Sequence, residues 1–297
     1  MTNLLPYKGD YYLWKYVPSI GAAVFFILLF LGMSFCHSWR MFKTKTKSCW
    51  PFTIGCWFEF IGYIGRASAA HRTDKLMPYI IQSFFTLVAP ALFAASIYMT
   101  LGRIMRSVRG EHHSIIKITR LTKVFVLGDV MSFMVQGGSS GLMFNQSTAK
   151  IGEDIVLLGL IVQIISFGLF FICAVIWHTR MMNNPTTESY NTGAPWKQTL
   201  YMLYTVSIAI FARSIFRCVE YGEGQSGYSQ GHEWTLYIFD SIPMFIVTVI
   251  YFIWYPSRLN APPAAADEYQ PGLQMGPNTN EGQKPNFRSE FQGYLSP

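Results

Sequence analysis

The sequence predicts an all-α membrane protein, a bundle of seven transmembrane helices with its N-terminus outside and its C-terminus in the cytosol. Three observations support this fold class. Only 13% of the 297 residues are charged, whereas a soluble domain contains roughly 25%. Apolar stretches long enough to cross a bilayer recur along the chain, and the basic residues gather in alternate loops.

The apolar stretches define the helices. A helix needs about 20 predominantly apolar residues to cross the hydrocarbon core. Seven segments meet this requirement: residues 17–39, 50–70, 78–101, 121–143, 155–178, 197–218 and 234–255. The first is longer than the apolar core of about 7–15 residues found in a signal peptide, and it follows a polar lead. We therefore expect it to remain in the protein as a helix.

The regions that flank the seven-helix domain, residues 17–255, differ from it in composition. Residues 1–16 form an outer lead, and its aromatic residues suit anchors at the level of the lipid headgroups. They are Tyr11, Tyr12, Trp14 and Tyr16. Residues 256–297 are rich in Pro, Gly, Asn and Gln, and they lack the apolar residues needed to form a core. We predict a disordered cytosolic tail there.

The basic residues predict the orientation. Cytosolic loops of membrane proteins carry an excess of Lys and Arg. The first and third loops hold Arg40, Lys43, Lys45, Lys47, Arg103, Arg106, Arg109, Lys117, Arg120 and Lys123. The net charge of +7 therefore reflects membrane topology and does not indicate nucleic acid. Asn145 begins an Asn-Gln-Ser sequon in a loop predicted to lie outside, so it is a candidate for N-glycosylation.

Charged residues lie at matched depths in the last two segments. With a rise of about 1.5 Å per residue, Arg213 and Asp240 each lie roughly 9 Å below the outer end of their segment. We therefore predict an Arg213–Asp240 ion pair. Arg217 lies one turn nearer the mouth, with either Glu220 or Glu233 beside it.

Other segments contribute polar residues at a similar depth. These are Arg66, Gln82, Gln136 and Gln163. Together with the charges of the last two segments, they predict a polar pocket that opens to the outside and serves in substrate binding or translocation. The alternative is a closed network that only fixes the register of the helices.

Two carboxylates lie deeper. Glu59 and Asp129 fall near the midplane of their segments, and no Lys or Arg is expected at that level. Ionisable residues inside a membrane are costly and usually have a function. These two are candidates for proton linkage or for binding a cationic group of a substrate. The alternative is a neutral acid that donates to a helix carbonyl.

Several chemistries lack the residues they require. The chain has no G-x-x-x-x-G-K-[ST] loop for nucleotide phosphates. Its histidines are expected in loops or at helix ends, so no depth offers the several ligands of a metal site. The last segment contains no lysine for a retinal Schiff base. We therefore predict no catalytic residues, no metal and no cofactor.

A resemblance covers the chain from Tyr16 to Tyr255. It rests on seven phrases in order: "YVPS" at 16–19, "EFIGYIGR" at 59–66, "APALFAASIYMTLGRI" at 89–104, "FVLGDVMSFMVQGGSSG" at 125–141, "GLIVQIISFGLFF" at 159–171, "RSIFRCVEYGEG" at 213–224 and "EWTLYIFDSIPM" at 233–244. The sequence resembles the fungal lipid-translocating exporter family, known for aminocholesterol resistance and sphingoid-base export. The resemblance implies seven helices, an outer N-terminus and a role in moving or resisting amphipathic lipids.

The main functional hypothesis is a multi-pass protein of the plasma membrane that is not an enzyme. It binds an amphipathic molecule, such as a sphingoid base, a sterol-like compound or a drug, and transfers or exports it. Its partners are then membrane lipids or amphipathic small molecules. A seven-helix receptor or sensor for an external ligand is the alternative, and an intramembrane lipid enzyme is a third hypothesis that the missing metal ligands disfavour.

Overall fold

The regular structure of the protein is helical. A computed structural model describes Trp14 and residues 16–70, 73–140, 148–191, 195–224, 227–256 and 259. Across these ranges no β-strand occurs, which confirms the predicted all-α class. All of the described residues fall within one compact unit, Met1–Ala261. The predicted tail, residues 256–297, lies outside the described residues apart from Pro256 and Leu259.

The helices follow the predicted segments closely. In chain order they are α1 (Ile20–Thr44), α2 (Trp50–Ala69), α3 (Leu76–Ser107), α4 (Ile118–Ser140), α5 (Ala149–Asn183), α6 (Thr187–Asn191), α7 (Trp196–Gly222), α8 (Tyr228–Gly231), α9 (Glu233–Leu236) and α10 (Ile242–Ile253). A π-helical turn, Tyr237–Ser241, joins α9 to α10. These three elements run on without a break, and we call them the last helix, Glu233–Ile253.

Five helices of the described chain are long and apolar enough to cross a membrane. They are α1, α3, α5, α7 and the last helix. The remaining two predicted segments correspond to α2 and α4. Each of these helices contains charged residues within its apolar run, Glu59 and Arg66 in α2 and Asp129 in α4. The chain is a multi-pass membrane protein, and the count of seven crossings stays a prediction.

Several helices extend beyond the segments that hydropathy marks. The first ends at Thr44 and not at 39, and α7 ends at Gly222 and not at 218. The α5 helix has 35 residues, about 52 Å at 1.5 Å per residue, whereas the hydrocarbon core is about 30 Å thick. Hydropathy marks the part of a helix that contacts lipid. The backbone hydrogen bonds of the helix continue beyond it, into the polar headgroup layers on either side of the hydrocarbon core.

The helices close into a ring. Each of α1 to α4 contacts the next helix along the chain, α5 contacts α7, α7 contacts α10, and α10 returns to α1. The α3 and α7 helices also touch each other across the ring. Large apolar side chains such as Phe25, Leu28 and Ile165 are more than half exposed on the outside. That arrangement suits a bundle whose outer surface contacts lipid.

Glycines set the close approach of α2 and α3. A Cβ atom added at Gly65 would lie 2.8 Å from Ile81 Cγ2 and 2.9 Å from the backbone nitrogen of Gln82. One added at Gly62 would lie 2.8 Å from Thr86 Cγ2. Small residues let membrane helices pack backbone to backbone. These glycines therefore bring α2 against the part of α3 that carries Gln82 and Thr86.

We predict that Gly65→Ala destabilises the protein although alanine is the better helix former. The new methyl group meets backbone that cannot move aside, and overpacking of this kind costs about 1–3 kcal/mol. The control is Gly137→Ala in α4, where nothing lies within 4 Å of the added Cβ and the change should be neutral or stabilising. Thermal unfolding of purified protein in detergent measures both. Equal Tm values for the two variants would contradict the close α2–α3 contact.

Candidate functional site

A proline fixes the position of one buried arginine. Pro90 lies inside α3 and has no N–H, so the carbonyl of Thr86 lacks its usual helix donor four residues later. Arg213 of α7 fills this gap, because its Nη2 donates to Thr86 O at 2.7 Å. The guanidinium is thus held where α3 and α7 meet at the centre of the ring.

A π-helical turn presents the acid that faces this arginine. Asp240 lies in the turn Tyr237–Ser241, which is closed by the Ile242 N–H donating to Tyr237 O, five residues earlier. Pro243 follows at the start of α10 and offers no N–H to the preceding turn. Single π turns inside helices are frequent at functional sites. Here the turn buries the Asp240 carboxylate to 3% exposure.

Asp240 bridges two arginines. One carboxylate oxygen contacts Arg213 Nε, and the other accepts from Arg217 Nη2 at 2.6 Å. Arg217 also donates from Nη1 to Glu220 at 2.9 Å. The predicted Arg213–Asp240 pair is therefore present, and of the two acids considered beside Arg217 the structure brings Glu220 there. The four side chains form one buried ion network.

Arg66 occupies a second ionic contact at the same end of the bundle. It is 1% exposed, and its Nη2 donates to Glu233 at 2.8 Å and to Tyr16 OH at 3.1 Å. Its Nε donates to Tyr237 OH at 3.0 Å. The rings of Trp14, Tyr16 and Tyr237 lie 5.1–5.9 Å from the guanidinium carbon. Trp14 and Tyr16 therefore pack on Arg66 and do not extend from the bundle as free headgroup anchors.

Glu233 connects this contact to α1. The backbone N–H of Ser19, the N-cap residue of α1, donates to both carboxylate oxygens of Glu233 at 2.8 and 3.0 Å. A carboxylate at a helix N-terminus is favourable because of the helix dipole. One acid thus joins α1, α2 and the last helix at the end of the bundle that is predicted to face outside, called the outer end below.

Glu59 belongs to the same group of charges, which corrects one prediction. It is 2% exposed and within electrostatic range of Asp240, Arg213 and Arg217, whereas no cation was expected at its level. The reason lies in the length of α7. Glu59 is ten residues before the end of α2 at Ala69, and Arg213 is nine residues before the end of α7 at Gly222. We define the charged cluster as Glu59, Arg66, Arg213, Arg217, Glu220, Glu233 and Asp240.

Asp129 lies apart from the charged cluster. Its Oδ2 accepts a hydrogen bond from Tyr98 OH at 2.7 Å, and no described basic residue pairs with it. Its Oδ1 is buried and has no hydrogen-bond partner among the described residues, and the same is true of Ser132 Oγ one turn further along α4. Asp129 therefore lacks a cation among the described residues, as the sequence predicted.

The polar residues of α4 and α5 continue this second group. Gln136 Nε2 lies 3.4 Å from Gln163 Oε1. Gly159 allows the approach, because a Cβ atom there would lie 2.7 Å from Gln136 Cγ. We call Asp129, Ser132, Gln136 and Gln163 the amide–acid group. Gln82 of α3 is buried, and its Oε1 has no hydrogen-bond partner in the described part of the chain.

The predicted polar layer is thus divided into two groups of buried side chains. Arg66, Arg213 and Asp240 are all at most 5% exposed, so the charges face one another and not solvent. Several buried acceptors remain unused: Glu59 Oε1, Gln82 Oε1 and Asp129 Oδ1. An unsatisfied buried polar group costs about 1–3 kcal/mol. Donors of a bound molecule would remove that cost.

Some contacts of the site were not anticipated from the sequence. Three of them are hydrogen bonds: Tyr98 to Asp129, Arg213 to the Thr86 carbonyl, and Tyr63 to Ser241 of the π turn. Pro90 within an apolar segment was a signal for the Thr86 contact, because it must free a carbonyl. The tyrosines gave no such signal. Tyrosine is common throughout this chain, which contains 17 of them.

The histidines differ from expectation at one position. His37 is buried inside α1 and donates from Nε2 to Thr248 O at 3.0 Å, whereas histidines were expected in loops or at helix ends. That expectation was wrong for His37 because α1 continues to Thr44. Over the described ranges, no three His, Cys, Asp or Glu side chains lie close enough together to hold a metal ion. Asn145 of the sequon lies outside the described residues.

Comparison with known proteins identifies the family. The profile described as "RTA1 like protein" matches residues 52–261, which contain all of the charged cluster and the amide–acid group. The chain belongs to the RTA1-like family. No solved structure matches the chain significantly.

Named relatives are found in Saccharomyces cerevisiae. Protein RTA1 is 35% identical over 84% of this chain and 86% of its own length. Protoporphyrin uptake protein 1 is 33% identical over 82% of this chain and 92% of its own. Sphingoid long-chain base transporter RSB1 is more distant, at 23% identity over 67% of this chain and 61% of its own. The resemblance read from the sequence is confirmed.

We predict that Asp240→Asn lowers the free energy of unfolding by about 3–5 kcal/mol, because it leaves two buried arginines with less compensating charge. The double variant Arg213→Gln, Asp240→Asn should be more stable than Asp240→Asn alone. Its glutamine amide takes the place of Arg213 Nε beside residue 240, and one unpaired charge is removed. Unfolding of the purified protein in detergent gives the values.

The control is Glu111→Gln. Glu111 pairs with Arg106 at 3.8 Å, and both side chains are about half exposed, so the change should stay within about 0.5 kcal/mol. A double variant no more stable than Asp240→Asn alone would exclude a contribution from the Arg213–Asp240 pair.

Proposed function

We propose that this protein binds an amphipathic molecule with a cationic amine head inside its helix bundle and moves it between the two leaflets of the membrane. A sphingoid base is the model substrate, and export of such molecules gives resistance to toxic amphiphiles. Family membership and the name of one relative, sphingoid long-chain base transporter, support this proposal. No covalent chemistry is assigned to the site, and the protein acts as a transporter and not as an enzyme.

The observation that carries the proposal is the unused oxygen of Asp129. The Oδ1 atom of Asp129 and the Oγ atom of Ser132, one turn further along α4, are both buried and have no hydrogen-bond partner among the described residues. An ammonium group offers three N–H donors and a positive charge. Charge-assisted hydrogen bonds of this kind are the strong ones, especially where water is excluded. An amine head can therefore donate a hydrogen bond to Asp129 Oδ1, which has no partner among the described residues.

The charged cluster also favours a cation over an anion. Its three arginines face four carboxylates, those of Glu59, Glu220, Glu233 and Asp240. Each arginine is already engaged: Arg66 with Glu233, and Arg213 and Arg217 with Asp240. The sequence alone left both kinds of headgroup open. The carboxylates outnumber these arginines, and Glu59 Oε1 has no hydrogen-bond partner among the described residues, so the excess of negative charge in the cluster favours a cation.

The contacts at the outer end would have to separate during transfer. Glu233 connects Arg66 with the N-terminus of α1, and Asp240 connects Arg213 with Arg217. While these contacts hold, the interior groups are closed from that side. We propose that the amphipathic molecule is released in a state in which these ion pairs are broken and the charged groups are hydrated. The outward-facing pocket predicted from the sequence corresponds to that state.

We propose seven crossings, with the N-terminus outside, the C-terminus in the cytosol and residence in the plasma membrane. The α2 and α4 helices complete the count, and their buried charged and polar residues explain why they are less apolar. A glycosylation tag at the N-terminus should be modified, whereas the same tag at the C-terminus or inside the Glu111–His113 loop should not. Enzymatic deglycosylation followed by gel mobility tests this. Modification of the C-terminal tag would overturn the orientation.

We predict that the purified protein in liposomes transfers a fluorescent sphingoid base between leaflets and that Asp129→Asn lowers the rate roughly 10–100-fold. That range corresponds to about 1.5–3 kcal/mol for a hydrogen bond to a charged group. Asp154→Asn is the matched control, because Asp154 is an exposed acid of α5 and its loss should leave transfer unchanged. Arg217→Ala should also lose transfer, because it opens the ion network.

Two outcomes would contradict this proposal. Normal transfer by Asp129→Asn would remove the carboxylate from the mechanism. Absence of transfer by a folded wild-type protein that still binds the sphingoid base would favour a receptor or sensor. Folding is checked for every variant by size-exclusion profile and Tm.

A further inference from the structure

A separate cavity lies at the end of the bundle opposite the charged cluster. Its volume is about 220 Å³, and its walls include Arg40, Gln198, Thr199, Trp254 and Tyr255. These residues come from the end of α1, the first turn of α7 and the chain just after α10. None of them belongs to the charged cluster or to the amide–acid group.

Arg40 is held in the wall of this cavity with its charge uncompensated. Its Nη1 donates to the carbonyl of Phe252, and its guanidinium carbon lies 4.8 Å from the centre of the Phe252 ring and 5.0 Å from that of Tyr255. No described carboxylate pairs with it, in contrast to Arg66, Arg213 and Arg217. These contacts position the guanidinium in the wall, and its Nε and Nη2 make no hydrogen bond to a described residue.

The start of α7 adds donors on the other side. The first helical hydrogen bond is from Thr199 N to Pro195 O at 3.0 Å. The N–H groups of residues 196–198 precede it and have no acceptor within the helix, and the N-cap residue Pro195 provides no side-chain cap. The positive end of a helix dipole with free N–H groups attracts anions. Gln198 and Thr199 of this turn line the cavity that Arg40 enters.

The surroundings suit a lipid. Ile253 and Trp254 form part of the wall and are about half exposed at the end of the last helix. Lys43, Lys45, Lys47 and Arg103 lie at the same end of the bundle and attract an anionic leaflet. The cavity volume is close to that of about seven water molecules in the liquid, at about 30 Å³ each. That space holds a phosphate group with part of its headgroup.

We propose that this cavity binds the phosphate of an anionic lipid headgroup, with Arg40 and the first turn of α7 as its donors. The site is distinct from the proposed amine path in position and in charge. A lipid held there would contact α1, α7 and the last helix together, the helices whose opposite ends carry Ser19, Arg217 and Glu233. The proposal does not depend on transport, and a protein that fails to move a sphingoid base can still bind the anionic lipid here.

The test measures binding of short-chain phosphatidylserine to the purified full-length protein in detergent, by native mass spectrometry. Short-chain phosphatidylcholine is the control for net headgroup charge, and glycerol phosphate is the soluble phosphate ester. We expect phosphatidylserine to bind at least about tenfold more tightly than phosphatidylcholine. Comparable binding of glycerol phosphate would identify a soluble ester as the ligand of the same site.

Gln198→Glu is the decisive variant. It places a carboxylate in the first turn of α7, where it favours the helix, but opposes an anion in the cavity. We expect at least a tenfold loss of phosphatidylserine binding with Tm unchanged or raised. Gln230→Glu in α8, at the other end of the bundle, makes the same charge change and should have no effect.

Arg40→Gln provides a second test, with Lys43→Gln as its control for loss of one positive charge at the same end. Only the change at Arg40 should lower binding tenfold. Binding of phosphatidylserine that is undetectable in the wild type, or that survives both Gln198→Glu and Arg40→Gln, would overturn the proposal.

Discussion

The contact of Asp240 with two buried arginines is the constraint around which the bundle is arranged. Pro90 frees the Thr86 carbonyl, this carbonyl holds Arg213, and Arg213 and Arg217 hold Asp240 in its π turn. The α3 helix thus meets α7 and the last helix, more than 100 residues later in the chain, at one point. In an environment of low dielectric an isolated charge costs several kcal/mol, so each partner requires the others. The α2 helix is the fourth at this point. Its glycines let it pack closely on α3, and its Glu59 lies near the same charges.

The balance of charge at this point explains which molecules the interior can accept. The cluster has one more carboxylate than it has arginines. Asp129 lies beyond it, and among the described residues its hydrogen-bond partner is Tyr98. Each arginine of the cluster already has a carboxylate partner, so an anionic headgroup would compete with Asp240 or Glu233 for it. An amine head needs no such displacement at Asp129. The proposed preference for a cation therefore rests on the pairing already present inside the protein.

Helix depth alone predicted the Arg213–Asp240 pair, because both residues were counted from the same end of adjacent antiparallel helices. The same counting failed for Glu59, since it ended α7 at residue 218 and the helix continues to Gly222. Four residues are about 6 Å of helix. An error of that size places Glu59 and Arg213 at different depths although they lie close together. Composition marked Trp14 and Tyr16 as lipid anchors, but it contains no information on their packing against Arg66. Contacts made by tyrosine hydroxyls and backbone carbonyls depend on helix rotation, which hydropathy does not determine.

The two ends of the bundle differ in how their charges are compensated, and this difference links binding to movement. At the outer end, Arg66 and Arg217 are neutralised by Glu233, Glu220 and Asp240. At the opposite end, Arg40 has no described acidic partner. An ammonium group that reaches the charged cluster competes with Arg217 for Asp240, because both are cations seeking the same oxygens. On the proposed path, passage of the amine from Asp129 to the cluster and loosening of the outer contacts are then one event. A ligand can shift a conformational equilibrium only through its differential affinity for the two states. Competition for Asp240 would supply such a difference in affinity between the closed and the open state, so that step would need no further source of energy.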